Sequence, residues 1–234
     1  MNLTRAERFL FRGAMAPPAV ASRLDIWCSK TVLTAGTPTV KSVNGGTMDL
    51  ALDATNEVQN ACLYFGDILS FKIQDLQRVW ITAKLGTMAA GLTASFGVIA
   101  ARNDAPTSAA AYAFFQVTGN SQALIAHAYD GVIADPAAAV GLNLGNTLQR
   151  FCIDFTGVQS KQLPAPSLGN RSAVTFFAED SNGALQQVCK STLFDMSNYA
   201  GTSGLQLFAQ MQKTATAALA TLSIESFEVE FKAR

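Results

Sequence analysis

The chain has 234 residues, with 17 basic and 17 acidic side chains and a formal net charge of zero. This length suits one large β domain or two small ones, and a core of that size needs no disulfide or metal. The chain has no run of basic residues, which argues against a nucleic-acid partner. No apolar stretch approaches the ~20 residues of a membrane span, which argues against a membrane partner.

Charged residues make up only 15% of the chain, against about 25% in ordinary globular domains. A surface with so little charge favours association with other protein. The alternative is a neutral monomer whose surface is rich in alanine and threonine.

Residues 1–44 are interpreted as an extended N-terminal arm. Thr4 and Glu7 have the spacing of a capping box, which predicts a short helix running on through Phe11. A strand is expected at residues 24–28, and an extended connection at 34–43, where Gly36 and Pro38 interrupt the pattern.

The arm carries large apolar residues but is too short to bury them by itself. Either they pack on the body of the same subunit, or they contact a neighbouring subunit. The candidate inter-subunit contacts are Phe9, Leu10, Phe11, Ile26 and Trp27.

Residues 45–234 are expected to form a single β-sandwich domain. About ten strands follow one another at roughly 8–12-residue spacing with turn residues between them. The densest segment is 64–85, predicted to be two β-elements joined by a partly helical corner, with Val79 and Ile81 on the face opposite Trp80. Residues 53–60 and 134–146 are expected to be connections.

Later segments carry more specific turn signals. Residues 173–178 and 184–190 predict a hairpin, because their connection ends in Asn-Gly. The apolar period slips by one residue between Ile224 and Phe227, which predicts a β-bulge there. Short helices are expected at 106–111, capped by Asp104, and at 195–199. Long connections alternating with short ones favour a jelly roll with short helical turns.

No catalytic motif emerges from the sequence. His127, the single histidine, falls in a strand without a nucleophile elbow, so a structural role is favoured. Glu228 and Glu230 share one strand face and are expected to be solvated. The four cysteines are widely spaced and predict free thiols, although cross-strand disulfides stay open. We expect no enzyme activity, no cofactor and no metal.

The segment GDILSFKIQDLQRVWI, residues 66–81, resembles β-rich virion proteins of tailed bacteriophages. That class includes capsid decoration (cement) proteins with a jelly-roll body and an extended N-terminal arm. The resemblance implies a structural subunit on the capsid exterior, made in the host cytoplasm. It also implies the major capsid protein and the chain itself, as a homotrimer, as partners.

A second class stays open from the sequence. Jelly rolls are common carbohydrate-binding scaffolds. A carbohydrate-binding module or receptor-binding tail component would present exposed aromatic side chains, and the candidates are Trp80, Tyr112, Phe114, Tyr129 and Tyr199. Hydrolase activity is a third idea without a residue set behind it.

Overall fold

The computed structural model describes residues 8–12, 25–30, 36–43, 46–65, 71–73, 75–132, 135–158, 173–196 and 204–232; the first two ranges are described by their backbone. Sixteen strands, numbered along the chain, form two antiparallel sheets in this part. The predicted all-β sandwich is confirmed.

The nine-stranded sheet has the order β13-β12-β11-β6-β16-β4-β3. Its strands are β1 (Arg8–Arg12), β3 (Thr39–Ser42), β4 (Met48–Ala51), β6 (Leu76–Leu85), β11 (Gln149–Asp154), β12 (Ala173–Glu179), β13 (Leu185–Val188), β14 (Phe194–Asp195) and β16 (Thr221–Phe231). β4 and β1 pair with successive parts of the same edge of β16. In the same way, β14 and β13 pair with successive parts of one edge of β12.

The seven-stranded sheet has the order β10-β9-β8-β7-β15-β5-β2. Its strands are β2 (Asp25–Lys30), β5 (Glu57–Tyr64), β7 (Leu92–Ile99), β8 (Tyr112–Thr118), β9 (Ala123–Tyr129), β10 (Ala138–Asn143) and β15 (Gln206–Thr216). A single 3-10 turn, Pro106–Ser108, is the helical element of the described residues.

The core lies between the two sheets and is built on interlocking phenylalanines. Phe96 and Phe115 come from the seven-stranded sheet, and Phe151 and Phe176 come from the nine-stranded sheet. Phe115 lies 5.2 Å from Phe151 and 5.1 Å from Phe176 between ring centroids. Strand alternation produces this arrangement, since every second side chain of each strand points to the other sheet.

The segment 64–85 behaves largely as predicted. β5 ends at Tyr64 and β6 begins at Leu76, and a turn between Lys72 and Asp75 precedes β6. Phe71, Ile73 and Leu76 are buried in the core, as are Val79 and Ile81, while Trp80 lies on the outer face. Residues 66–70 and 74 lie outside the described residues.

Two further predictions from turn chemistry are confirmed. The ladder between β16 and β6 slips between Ile224 and Ser226, where the bulge was expected. The hairpin of β12 and β13 closes through Asp180, whose carboxylate accepts the N–H groups of Asn182 and Ala184, with Gly183 at positive φ.

Several predicted connections and helices are wrong. Residues 8–11 are strand and not helix, because β4 leaves the lower edge of β16 unpaired and β1 completes it. β3 lies inside the predicted connection 34–43 and β5 begins inside 53–60, while β10 occupies 138–143. The predicted helix at 106–111 is three residues long with Ala105, and not Asp104, at its N-cap, and residue 195 belongs to β14.

Replacing Phe115 with alanine should lower the free energy of unfolding by about 3–5 kcal/mol, because a ring in contact with three others leaves a cavity that the two sheets cannot close. Urea denaturation measures this loss. The control is Leu219→Ala, at a side chain that is 56% exposed, which should change stability by less than about 0.5 kcal/mol. Equal losses at both positions would refute the proposed core.

Candidate functional site: an uncharged flank of the sandwich

His127 does not form a catalytic arrangement in the described part of the chain. It lies on β9 and stacks on Phe114, with ring centroids 5.0 Å apart. Its Nε2 atom is buried without a hydrogen-bond partner among the described residues. Burial lowers the pKa of His127, so the ring is neutral near pH 7. Its environment is that of a packed aromatic side chain.

Glu228 and Glu230, the carboxylates of the final strand, form ion pairs. The prediction that they are solvated is wrong. Glu230 lies 3.7 Å from Arg78, which also donates to Asp154 at 2.9 Å. Glu228 lies 3.9 Å from Arg150. These pairs form a charged patch on the outer face of the nine-stranded sheet, with the Arg150 guanidinium 4.2 Å above the Trp80 ring.

The described residues contain no group of three or more side chains that could hold a metal ion. Cys62, Cys152 and Cys189 are free thiols, as expected, and burial raises the pKa of Cys152 to about 12. A thiol with such a pKa stays protonated and unreactive near pH 7. The thiol of Cys28 lies outside the described residues.

The predicted aromatic candidates are largely core-like. Phe114 and Tyr112 are buried, and Trp80 and Tyr129 are half-buried. Tyr112 packs against Tyr129 with ring centroids 5.5 Å apart, in a second cluster on the outer face of the seven-stranded sheet. Tyr199 lies outside the described residues.

The five candidate residues of the arm lie on strands β1 and β2. β1 pairs with β16 and β2 pairs with β5, so the backbone of the arm joins both sheets of its own chain. Phe9, Leu10 and Phe11 stand opposite Val229, Glu228 and Phe227, and Ile26 and Trp27 stand opposite Leu63 and Cys62. Their side chains lie outside the described part, so their contacts with a neighbouring subunit stay a prediction.

A different surface has the features of a protein-binding site. β10 is one edge of the seven-stranded sheet, and β13 is one edge of the nine-stranded sheet. The Cys189 thiol, directly after β13, lies 3.4 Å from the Ala139 carbonyl oxygen and 3.6 Å from that of Ala138. The two edges therefore adjoin on one side of the sandwich.

This side of the sandwich carries no charge over a long stretch. Neither residues 136–149 nor residues 184–189 contain a charged side chain, although charged residues form 15% of the chain. We call these two segments the uncharged flank. Sheet edges of monomeric proteins usually carry lysine, proline or inward charges that prevent pairing with other chains. Charge is likewise depleted at the centres of protein interfaces.

Exposed apolar side chains concentrate at the same place. Among the described residues, six large apolar side chains are exposed. Leu148 and Leu185 lie within the uncharged flank, and Val132 and Leu193 lie next to it in sequence. The backbone is also irregular here, since Cys189 has a positive φ of 55° and β10 is bulged between Ala139 and Asn143. Such irregularities concentrate at functional surfaces.

A half-buried acidic group lies at one end of this surface. Asp135 precedes β10, and its Oδ2 atom has no hydrogen-bond partner among the described residues. Burial, together with the nearby carboxylates of Asp195 and Asp130, raises the pKa of Asp135 to about 6. The charged form of Asp135 is therefore disfavoured in the folded protein.

No family model and no curated protein matches this chain. Solved structures do match its fold over nearly the whole length. A protein of unknown function from Shewanella oneidensis MR-1 has a TM-score of 0.54 at 10% identity. The match covers 100% of this chain and 90% of the Shewanella chain. LamA from Z. galactanivorans, in complex with laminaritriose and laminaritetraose, has a TM-score of 0.59 at 12% identity, covering 95% and 97%.

The carbohydrate recognition domain of Emp47p is similar as well, with a TM-score of 0.55 at 10% identity and 99% of both chains covered. At such identities the likeness defines the fold alone. The chain is an antiparallel β-sandwich of the jelly-roll class, as predicted. The part that the structure describes has no helix long and apolar enough to span a membrane.

Sequence reasoning missed the uncharged flank because it assigned β10 to a loop. The alternation of Val140 and Leu142 was a usable signal, but three alanines and Gly141, at a φ of +79°, obscure the strand pattern. The absence of charge from residue 136 to residue 149 was visible in the sequence. What the sequence does not show is that β13 adjoins this segment.

Replacing Asp135 with asparagine should stabilise the protein at pH 8 and have no effect below pH 4. The folded state holds the Asp135 proton more tightly than the unfolded state, so the wild type loses stability as the pH rises from about 4 to about 6. The expected gain at pH 8 is about 1 kcal/mol, after allowing for partial exposure. Urea denaturation across this pH range measures it.

Asp104→Asn is the control, because Asp104 is an exposed aspartate in another loop. It should change stability by less than about 0.5 kcal/mol at either pH. A pH-independent gain in Asp135→Asn would show that the carboxylate of Asp135 is not destabilised by its surroundings.

Proposed function

We propose that this protein is a structural virion protein, a capsid decoration subunit that binds the lattice of the major capsid protein and other copies of itself. The observation that carries the proposal is the uncharged flank. It combines two adjoining, uncharged sheet edges with exposed Leu148 and Leu185, a combination that suits contact with protein.

The distribution of charge adds support. The described ion pairs of Arg78 and Arg150 lie on the outer face of the nine-stranded sheet, and none of their residues belongs to the flank. One side of the molecule is thus suited to water and another to a protein partner. A subunit that binds the assembled lattice and not its free components stabilises that lattice by mass action. The resemblance of residues 66–81 to phage virion proteins points to the same role.

Carbohydrate binding is the second candidate. The half-buried rings of Trp80 and Tyr129 favour it, since aromatic rings on an outer sheet face suit sugar recognition. The Arg150 guanidinium covers one face of the Trp80 ring, however, so a sugar would have to displace it. A glycan array separates the candidates: binding that is lost in Trp80→Ala or Tyr129→Ala supports this second role.

A double variant with Ala139→Lys and Leu185→Lys should bind capsids at least tenfold more weakly than the wild type. Each lysine places a charge on the uncharged flank, where a protein partner would have to desolvate it. Sedimentation with capsids of its phage that lack this protein measures the affinity. Mass measurements with and without capsids report self-association in the same samples.

The matched control carries Val58→Lys and Leu219→Lys, which place the same two charges at exposed apolar positions away from the flank. It should bind as the wild type does. Binding that is equal in both variants would refute the flank as the contact surface. Wild-type protein that does not sediment with capsids would refute the decoration role.

A further inference from the structure

The chain passes from one sheet to the other between β2 and β3, and residues 36 and 37, directly before β3, lie beside a polar cluster. β2 belongs to the seven-stranded sheet and β3 belongs to the nine-stranded sheet. Gly36 is buried at this crossing, and the Thr37 N–H donates to the carboxylate of Asp53. Residues 36 and 37, the turn after β4 and strands β5 and β15 therefore meet at one point.

Lys213 lies at the centre of this cluster with a side chain that is 0% exposed. Its Nζ atom donates to the carbonyl oxygen of Asp53 at 2.5 Å and to that of Thr55 at 2.6 Å. The Asp53 Oδ1 atom lies 4.0 Å away. A buried ammonium is costly unless oxygen atoms replace its water, and the turn at residues 53–55 supplies them.

The carboxylate side of the cluster is also saturated with donors. Gln59 Nε2 donates to Asp53 Oδ1 at 2.6 Å and to Glu57 Oε1 at 3.0 Å, and the Thr55 N–H donates to Asp53 at 2.9 Å. Burial opposes the charge of Asp53, but the bonds from Gln59, Thr37 and Thr55 outweigh it and hold the pKa of Asp53 well below its usual range. Asp53 is therefore ionised beside Lys213 near pH 7.

Gly36 fits this cluster because it has no side chain. A methyl group at Gly36 would overlap Glu57 Oε1 and Gln59 Nε2 and would lie 3.0 Å from Asp53 Oδ1. Those atoms are held in the cluster, so they have little freedom to move aside. The crossing segment and the cluster thus fit each other closely.

We infer that Lys213 acts as a built-in cation that locks residues 36–43, which contain β3, onto the body of its own chain. Oxygen atoms of Asp53 and Thr55, with Glu57 nearby, surround the ammonium much as they would surround a hard metal ion. The ammonium holds the turn, and the turn holds Thr37 and the start of β3. This lock rests on buried contacts and does not depend on capsid binding.

Replacing Lys213 with methionine should open the lock, because methionine fills similar volume without the charge. Amide hydrogen exchange of β2 and β3 in the full chain is expected to become at least tenfold faster relative to exchange in β11. Asp53→Asn should produce the same pattern with a smaller increase, and it decides the question if Lys213→Met does not fold. The effects of the two changes should be less than additive in the double variant.

Two controls separate the lock from general destabilisation. Asp180→Asn removes a carboxylate that caps another turn, and it should leave the ratio of exchange between β3 and β11 unchanged. Gly145→Ala adds a methyl group where the structure has open space, in contrast to Gly36→Ala, which should accelerate exchange in β2 and β3. Unchanged exchange in those strands, or equal acceleration in every strand, would overturn the lock.

Discussion

The fold depends on the contact between phenylalanines of opposite sheets. The ring of Phe151 lies 5.1 Å from Phe96 and 5.2 Å from Phe115, and the latter packs edge-on against Phe176. Burial of such rings dominates the energetics of a core, and their geometry fixes how the sheets are placed. The side chains that point away from this core form the outer faces of the two sheets.

The two outer faces differ in the polar side chains that they carry. On the nine-stranded sheet, arginines and carboxylates from β6, β11 and β16 pair with one another, which keeps the charge on one face. The outward positions of β5, β7, β8, β9 and β15 that the structure describes carry uncharged polar, aromatic and aliphatic groups instead. The uncharged flank extends this lack of charged side chains to the sheet edges. A subunit that is surrounded by other protein on one side and by water on the other has this distribution.

Much of the fold follows from local pattern, since strands with clear alternation were predicted where the structure has them. β6 and β16 belong to this group, and the bulge in β16 follows from a one-residue slip between Ile224 and Phe227. The hairpin at Asp180 follows from turn chemistry. In each case the signal lies within a few residues of the feature that it predicts.

The errors arise where partners are distant in sequence. Glu57 and Gln59 suggest a polar connection, yet both are buried in β5, where Gln59 donates to the carboxylates of Glu57 and Asp53. Lys213, which completes this cluster, lies 160 positions from Asp53. β1 is a strand because β16 offers it an unpaired edge, which no local propensity reveals. The uncharged flank likewise needs β10 and β13 to adjoin, and that is a property of the topology.

Hydrogen exchange of the protein, alone and mixed with capsids that lack it, tests the central claim most directly. If the uncharged flank is the contact surface, amides in residues 136–149 and 184–189 become protected on binding, while those of β6 and β11 keep their rates. Protection centred on the charged outer face around Arg78 and Arg150, with an unprotected flank, would contradict the account.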